Sequence, residues 1–153
     1  MIEEDKTLPV CYRLAADNDR NFIFSAWKSS ERYNDSSALT PNSIYNEEMQ
    51  HKINYLLSRC NTMIAYLEDE PDTILGFCTY QYINDHLVIH YAFTKSIVRK
   101  QGIQRQMLSL INILNQHIVL TAAIDKSMLF RLQQKHAIIY DYFYFQRKFY
   151  NDN

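Results

Sequence analysis

Glycine and proline are scarce. The 153-residue chain has two glycines, Gly76 and Gly102, and three prolines. This scarcity excludes a collagen-like or linker-rich chain, and it makes each remaining glycine worth explaining. The three cysteines, Cys11, Cys60 and Cys78, are far apart, with no Cys-x-x-Cys or Cys/His zinc spacing. They read as reduced, buried thiols of a cytosolic protein rather than as a disulfide frame, a metal site or a redox centre. No window holds ~18 uninterrupted apolar residues, the length that a membrane-spanning helix needs. The opening MIEEDKTLPV is acidic and lacks the apolar core of a signal peptide. Neither sign of charge dominates: 16 Lys and Arg against 17 Asp and Glu give a net charge of -1. A general electrostatic grip on nucleic acid is therefore not expected, and only a local basic patch stays open.

What the chain does have is apolar and aromatic content, at 47% hydrophobic residues with 12 tyrosines and 8 phenylalanines. One domain over residues 1–153, with a core over about 8–145, follows from the length and from the lack of repeats or an internal linker. Strands are predicted at 8–15, 62–68, 73–83, 86–94 and 117–124, and a closing strand in AIIYDYFYFQRKFY from residue 137. Helices are predicted in DNDRNFIFSAWKSSERY with Asp17 as N-cap, in SIYNEEMQHKINYLLSRC opening at Ser43, in VRKQGIQRQMLSLINILNQ, and in DKSMLFRLQQKH with Ser127 as cap. Their apolar stripes are Phe22, Ile23, Ala26 and Trp27; Ile44, Met49, Ile53, Leu56 and Leu57; Ile103, Met107, Leu110, Ile111 and Leu114; and Met128, Leu129 and Leu132. DEPD (69–72) and NDH (84–86) read as turns. The order β-α-α-β-β-β-α-β-α-β predicts an α/β domain. Three central strands meander antiparallel, two later crossovers add parallel strands, and helices cover both faces of the mixed sheet.

Half of the glycine falls in VRKQGIQRQML, between a strand and an amphipathic helix. The first turn of a helix has unpaired N–H groups and a partial positive charge, and glycine lets a ligand approach its backbone. With Arg99, Lys100 and Arg105 nearby, this stretch predicts an anion site, most naturally for a nucleotide or pyrophosphate. Plain turn geometry accounts for a lone glycine there as well.

The element order and the run Arg99-Lys100-Gln101-Gly102-Ile103-Gln104 together resemble the GCN5-related N-acetyltransferase (GNAT) superfamily. In that family a central strand leads into Gln/Arg-x-x-Gly-x-Gly/Ala and the third helix. The resemblance implies that the backbone of Arg99, Lys100, Gln101, Gly102, Ile103 and Gln104 holds the pyrophosphate of acetyl-CoA. It also implies that the strand 86–94 splays from 117–124 and pairs through Ala92, Phe93 and Thr94 with the pantetheine arm. ILGF, with Gly76, is similar to the preceding strand of the family. Gln104 departs from the pattern: its side chain would crowd the phosphate, or its amide would donate to it. Two stretches, NFIFSAWKSS (21–30) and VIHYAFTKSIVRKQGI (88–103), resemble a looser, phage-encoded subset, which implies a host-cytoplasm location. In this fold the first helix, with Trp27, Lys28, Ser29 and Ser30, and the loop 29–37 after it shape the acceptor pocket.

Acyl transfer to an amine needs a base for the amine and an acid for the thiolate. His90 is the first candidate base, weighed against a hydrogen-bonded core histidine beside Tyr91. Glu68 is the second, weighed against a solvated strand-end charge. Tyr140 and Tyr142 are the candidate acids; strand alternation would place them with Tyr144 on one face, where plain aromatic packing is the other reading. Interleaved aromatics and basic residues in YDYFYFQRKFY fit a nucleic-acid platform less well than strand packing or a homodimer face. The function expected is acyl-CoA-dependent N-acetyl transfer to a small-molecule or protein amine. The alternative is a catalytically degenerate GNAT-fold protein that binds a protein partner.

Overall fold

The computed structural model describes residues 8–32, 37–112, 117–122, 126–141 and 143–144. Strand β1 (Val10–Leu14) leads through a short 3-10 turn (Asp17–Asp19) into α1 (Arg20–Glu31), followed by α2 (Asn42–Arg59). Strands β2 (Asn61–Leu67), β3 (Glu70–Ile83) and β4 (His86–Thr94) come next. A second 3-10 turn (Ser96–Val98) precedes α3 (Ile103–Ile111), and β5 (His117–Leu120), α4 (Lys126–Gln133) and β6 (Ile138–Tyr140) complete the order. The six strands lie in the sheet in chain order. β1 to β4 pair antiparallel; β4 with β5 and β5 with β6 pair parallel. This is the mixed α/β sheet that the element order predicts.

Helix faces follow the apolar stripes. On one side of the sheet, Ile23 and Trp27 of α1 and Tyr45, Met49, Ile53 and Leu56 of α2 pack against Ile64, Ile74, Phe77 and Tyr91. On the other, Ile103, Met107 and Ile111 of α3 pack against Ala65, Leu75, Cys78, Tyr80 and Leu87, with Leu129 and Leu132 of α4 alongside. In two places the buried face is rotated from the expected stripe. Tyr45 is buried and Ile44 is 51% exposed; Ile111 is buried and Leu110 is exposed. Tyr45 takes the place because its ring packs inward while its hydroxyl donates to the Lys28 carbonyl at 2.5 Å. Leu114 lies outside the described residues, and so does the side chain of Met128.

Several boundaries differ from expectation for identifiable reasons. The first helix is entered through Asp19 rather than Asp17: the Asp19 carboxylate accepts from the Ala16 N–H at 2.7 Å and from both Arg13 guanidinium nitrogens. α2 starts at Asn42, with Pro41 preceding it in an extended conformation, and Ser127 lies inside α4 rather than before it. The DEPD turn is tighter than expected. β3 begins at Glu70, and Pro71 sits where the register jumps from Leu67–Glu70 to Tyr66–Ile74, a bulge that needs no ladder N–H. The β3–β4 hairpin closes on two residues, with Asn84 at φ 53, as a tight hairpin turn requires. β5 ends at Leu120 and β6 at Tyr140, both shorter than the predicted strands. After Tyr140 the chain turns on Asp141, whose Oδ1 accepts from the Phe143 N–H. The two-residue alternation therefore stops before Tyr144.

Among the described residues no helix is long and apolar enough to cross a membrane, and no cluster of three or more metal-ligating side chains occurs. The three cysteines are free; burial pushes the thiols of Cys60 and Cys78 up to about 12.

Candidate functional site

The two parallel strands β4 and β5 pair only from His86–His117 to Ile89–Leu120, closing with the Thr121 N–H on the Ile89 carbonyl at 3.1 Å. Beyond that point β4 runs on through Thr94 while β5 has ended, so the sheet forks. The fork starts at an irregularity. Thr79 pairs with Tyr91 and Tyr80 with Ile89, which leaves His90 as an extra residue in β4. Such a β-bulge bends and twists its strand, and it places successive side chains on one face. Here His90 and Tyr91 both turn to the α1/α2 face. Past the bulge, the Lys95 N–H donates to Leu75 on β3. By the alternation of backbone groups along an antiparallel strand, Ala92 and Thr94 then present theirs to the open side, where the Thr94 carbonyl accepts from Arg99 Nε at 3.4 Å.

His90 holds the apex of the fork. It is 2% exposed, its Nε2 takes a 2.8 Å hydrogen bond from the Gln81 amide, and its Nδ1 donates to Thr121 Oγ1 at 3.0 Å. One imidazole thus ties β3, β4 and the end of β5 together. Burial, with Lys52 contributing, pushes its pKa down to about 4. The Tyr144 ring lies 6.1 Å from it.

At the open end of β4, α3 begins. Gly102 precedes it at φ 78, and Lys100 is also left-handed at φ 71. The first helical bond runs from the Gln106 N–H to the Gly102 carbonyl, so the N–H groups of Ile103, Gln104 and Arg105 have no helical acceptor. No side chain caps them. A Cβ added at Gly102 would meet no atom within 4 Å, so the space beside this residue at the helix entry is open. Arg99, Lys100, Gln101 and Gly102 are exposed around it, while the side chain of Ile103 is buried and only its backbone is available.

Gln104 takes neither course expected of it. Its amide turns back to the sheet and donates to the Phe93 carbonyl at 2.8 Å and Thr94 Oγ1 at 3.0 Å. Gly76 makes that approach possible: a Cβ there would lie 2.5 Å from the same Phe93 oxygen. The two glycines of the chain therefore serve one corner, Gly76 under the Gln104 amide and Gly102 at the helix entry.

The remaining sequence candidates scatter. Glu68 is exposed in the β2–β3 turn, as a solvated strand-end charge would be. Tyr140 is the last residue of β6, and Tyr142 lies outside the described residues. Ile139, next to Tyr140, is exposed, and so is Phe143 in the following turn. Lys28 and Ser29 line a cleft of about 480 Å³ between α1 and α2, with Arg32 and Tyr45. Trp27 is fully buried, stacked on Tyr91 at 4.5 Å and 8°. Sequence reasoning singled out none of Lys52, Gln81 and Thr121, and it reached Glu31 only as part of the stretch 29–37. Only Glu31 carried a signal: it falls four residues after Trp27 and so shares its helix face.

A single α/β domain with this strand order, a bulged fourth strand, a fork against the fifth and a third helix entered through glycine has the GNAT fold. Solved structures share it. A predicted acetyltransferase with acetyl-CoA from Clostridium acetobutylicum is 19% identical, with 81% of this chain and 88% of that chain covered and a TM-score of 0.57. A possible acetyltransferase from Clostridium difficile is 13% identical over 86% and 93% of the chains, with a TM-score of 0.63. The PaiA N-acetyltransferase of Thermoplasma acidophilum, in complex with coenzyme A, is 12% identical over 82% and 87%, with a TM-score of 0.59. At these identities the likeness is one of fold. No family profile and no curated protein matches the sequence.

Proposed function

We propose that the protein is an acyl-CoA-dependent N-acyltransferase, with acetyl-CoA as donor and an amine as acceptor. The observation that carries the reading is the fork, which runs from the His90 bulge along unpaired β4 backbone to the uncapped, glycine-led start of α3. A long, flexible cofactor with amides along its arm and a pyrophosphate at one end fits these features. Both backbone groups of Ala92 and the N–H of Thr94 suit an amide arm, with Phe93 between them turned to β3 and the Thr94 carbonyl held by Arg99. The N–H groups of Ile103 and Gln104, with Gly102, Gln101, Lys100 and Arg99 around them, suit a pyrophosphate. When bound, the cofactor supplies an activated thioester. The chain's own part is to align the acyl carbon at the fork, to offer backbone donors to charge that develops there, and to accept a proton from the amine. For His90, protonation of Nε2 would break the bond from Gln81; its neutral ring fits the task of holding the apex.

A titration with acetyl-CoA tests the reading. Cofactor at 100 times its dissociation constant adds about 2.7 kcal/mol of stability, and no thermal shift at millimolar acetyl-CoA overturns the proposal. The second reading, a GNAT-fold protein that binds a protein partner without catalysis, draws on the His90 geometry, since the base chosen from sequence is buried and fully hydrogen-bonded. It expects acetyl-CoA to leave the protein without turnover on any amine.

A further inference from the structure

The path of α1 carries a carboxylate to the fork. α1 starts beside Arg13 of β1, where Asp19 is bound. The registers align Arg13 with Ile64, Ile64 with Phe77 and Phe77 with Phe93, so a line drawn from Arg13 crosses four strands to β4. Phe22, in the first turn of α1, already lies 6.4 Å from the Phe77 ring and 6.2 Å from the Phe93 ring. Trp27 then stacks on Tyr91, the residue after the bulge. Glu31 is the next position on that face, one turn or ~6 Å further along the same course. The helix therefore runs back along β4, from Phe93 past Tyr91, and carries Glu31 toward the His90 apex of the fork.

The Glu31 side chain is only 15% exposed. Among the described residues its carboxylate has one partner, Lys52 of α2, at 3.6 Å from Oε2. That separation is beyond hydrogen-bond range. A carboxylate this enclosed ordinarily accepts two or more hydrogen bonds, so this one has acceptor capacity to spare. Its surroundings tie it to the fork. Glu31 contributes to the raised pKa of both Tyr45 and Tyr91, after burial, and Lys52 contributes to the lowered pKa of His90. Lys52, at 3.6 Å, is the one cation paired with it among the described residues.

We infer that Glu31 is the group that receives the acceptor's ammonium over the fork and takes its proton, so that the acceptor is a cationic primary amine. This rests on the acyltransferase reading. The carboxylate accepts one proton from R–NH3+. The amine lone pair then forms the N–C bond, the C–S bond breaks, and the thiolate leaves with the bonding pair. One proton is released for each amide and thiol formed once the thiol is protonated.

The test follows thiol release from acetyl-CoA with four amines: ethylamine, cadaverine, tyramine and a lysine-containing peptide. At least one is expected to accelerate release by the wild-type protein. Glu31→Gln should lose about 100-fold in kcat/KM, the scale of a lost general base, with unchanged affinity for acetyl-CoA. Glu31→Asp should retain part of the activity. The same amine should raise the melting temperature of the cofactor-free wild type and not that of Glu31→Gln. Because Glu31→Gln removes the carboxylate beside Lys52, the double variant Glu31→Gln/Lys52→Gln removes both charges; it should melt like the wild type and remain inactive. Activity within threefold of wild type in either variant overturns the inference. So does acetyl-CoA binding with no acceleration by any of the four amines, which leaves the cofactor reading standing. Absence of acetyl-CoA binding removes both.

Discussion

Lowering the pH should destabilise this protein through His90. The imidazole is buried and neutral, with a pKa of about 4 in the native state against an ordinary value near 6.5. Between those values the unfolded chain binds a proton that the native chain refuses. Stability is therefore full above about pH 6.5, falls as pH drops toward 4, and has no further contribution from this group below 4. The gap of about 2.5 pKa units corresponds to a ceiling of about 3 kcal/mol, of which about 2 kcal/mol should be lost between pH 7.5 and pH 5. Urea unfolding at the two pH values measures it, with fluorescence of Trp27, the single tryptophan, as the probe. His90→Gln serves as reference, since it has no group to titrate there and the other histidines, His51, His86, His117 and His136, are common to both proteins. The wild type should lose about 2 kcal/mol more than the variant over this interval. Equal losses would show that His90 titrates normally, and with that the buried, doubly bonded imidazole at the fork apex would be refuted.

Gly76→Ala places a Cβ 2.5 Å from the Phe93 oxygen, against backbone that cannot move cheaply, and should cost about 2 kcal/mol in urea unfolding; a cost below 0.5 kcal/mol contradicts the close approach. Gly102→Ala meets no atom, so only its left-handed backbone resists, at about 1 kcal/mol, and Gly102→Asn should cost less. Gln104→Glu sets a carboxylate against the Phe93 carbonyl and should destabilise by about 2 kcal/mol, more than Gln104→Ala; an amide that pointed to solvent would make both changes neutral. Asp19→Ala removes the acceptor of two guanidinium bonds and one N–H and should cost about 2 kcal/mol, measured by thermal unfolding.

Helical periodicity carried most of the fold because the stripes are long. Ile23 with Trp27, and Ile103, Met107 and Ile111, repeat often enough to fix a face, and the loop lengths between 61 and 94 leave a meander as the simple pairing. What periodicity cannot register is an insertion of one residue. His90 and Leu75 are the extra residues of two bulges, and in a one-dimensional reading each simply continues an apolar strand. The same blindness explains the helix entry at Asp19. Asp17 and Asp19 are equally good caps by type, and only the position of Arg13 across the turn chooses between them. At the site, Gly102 was legible because its conformation is encoded in its own residue type. The Gln104 contacts and the Glu31–Lys52 pair were not, since each depends on an element ten or more residues away.

The two bulges bear on one another. The β3 bulge at Leu75 comes just before Gly76, whose bare α-carbon lies against β4 at Phe93; the β4 bulge at His90 lies three residues back along the same strand. Each adds right-handed twist over a short length. Together they rotate the end of β4 away from the line that β5 follows, so the two parallel strands separate after Ile89 and Leu120 without a break in the backbone. A twisted edge with open N–H and C=O groups invites another chain. The Gln104 amide and the His90 bridge brace the two ends of this edge, one at Phe93 and Thr94, the other at Thr121. The segment between them, Tyr91 and Ala92, is then held in shape without being paired to a neighbouring strand on the open side. A rigid strand edge that keeps its hydrogen-bonding groups free is what a ligand with amides along its length requires, and it costs no reorganisation when that ligand arrives.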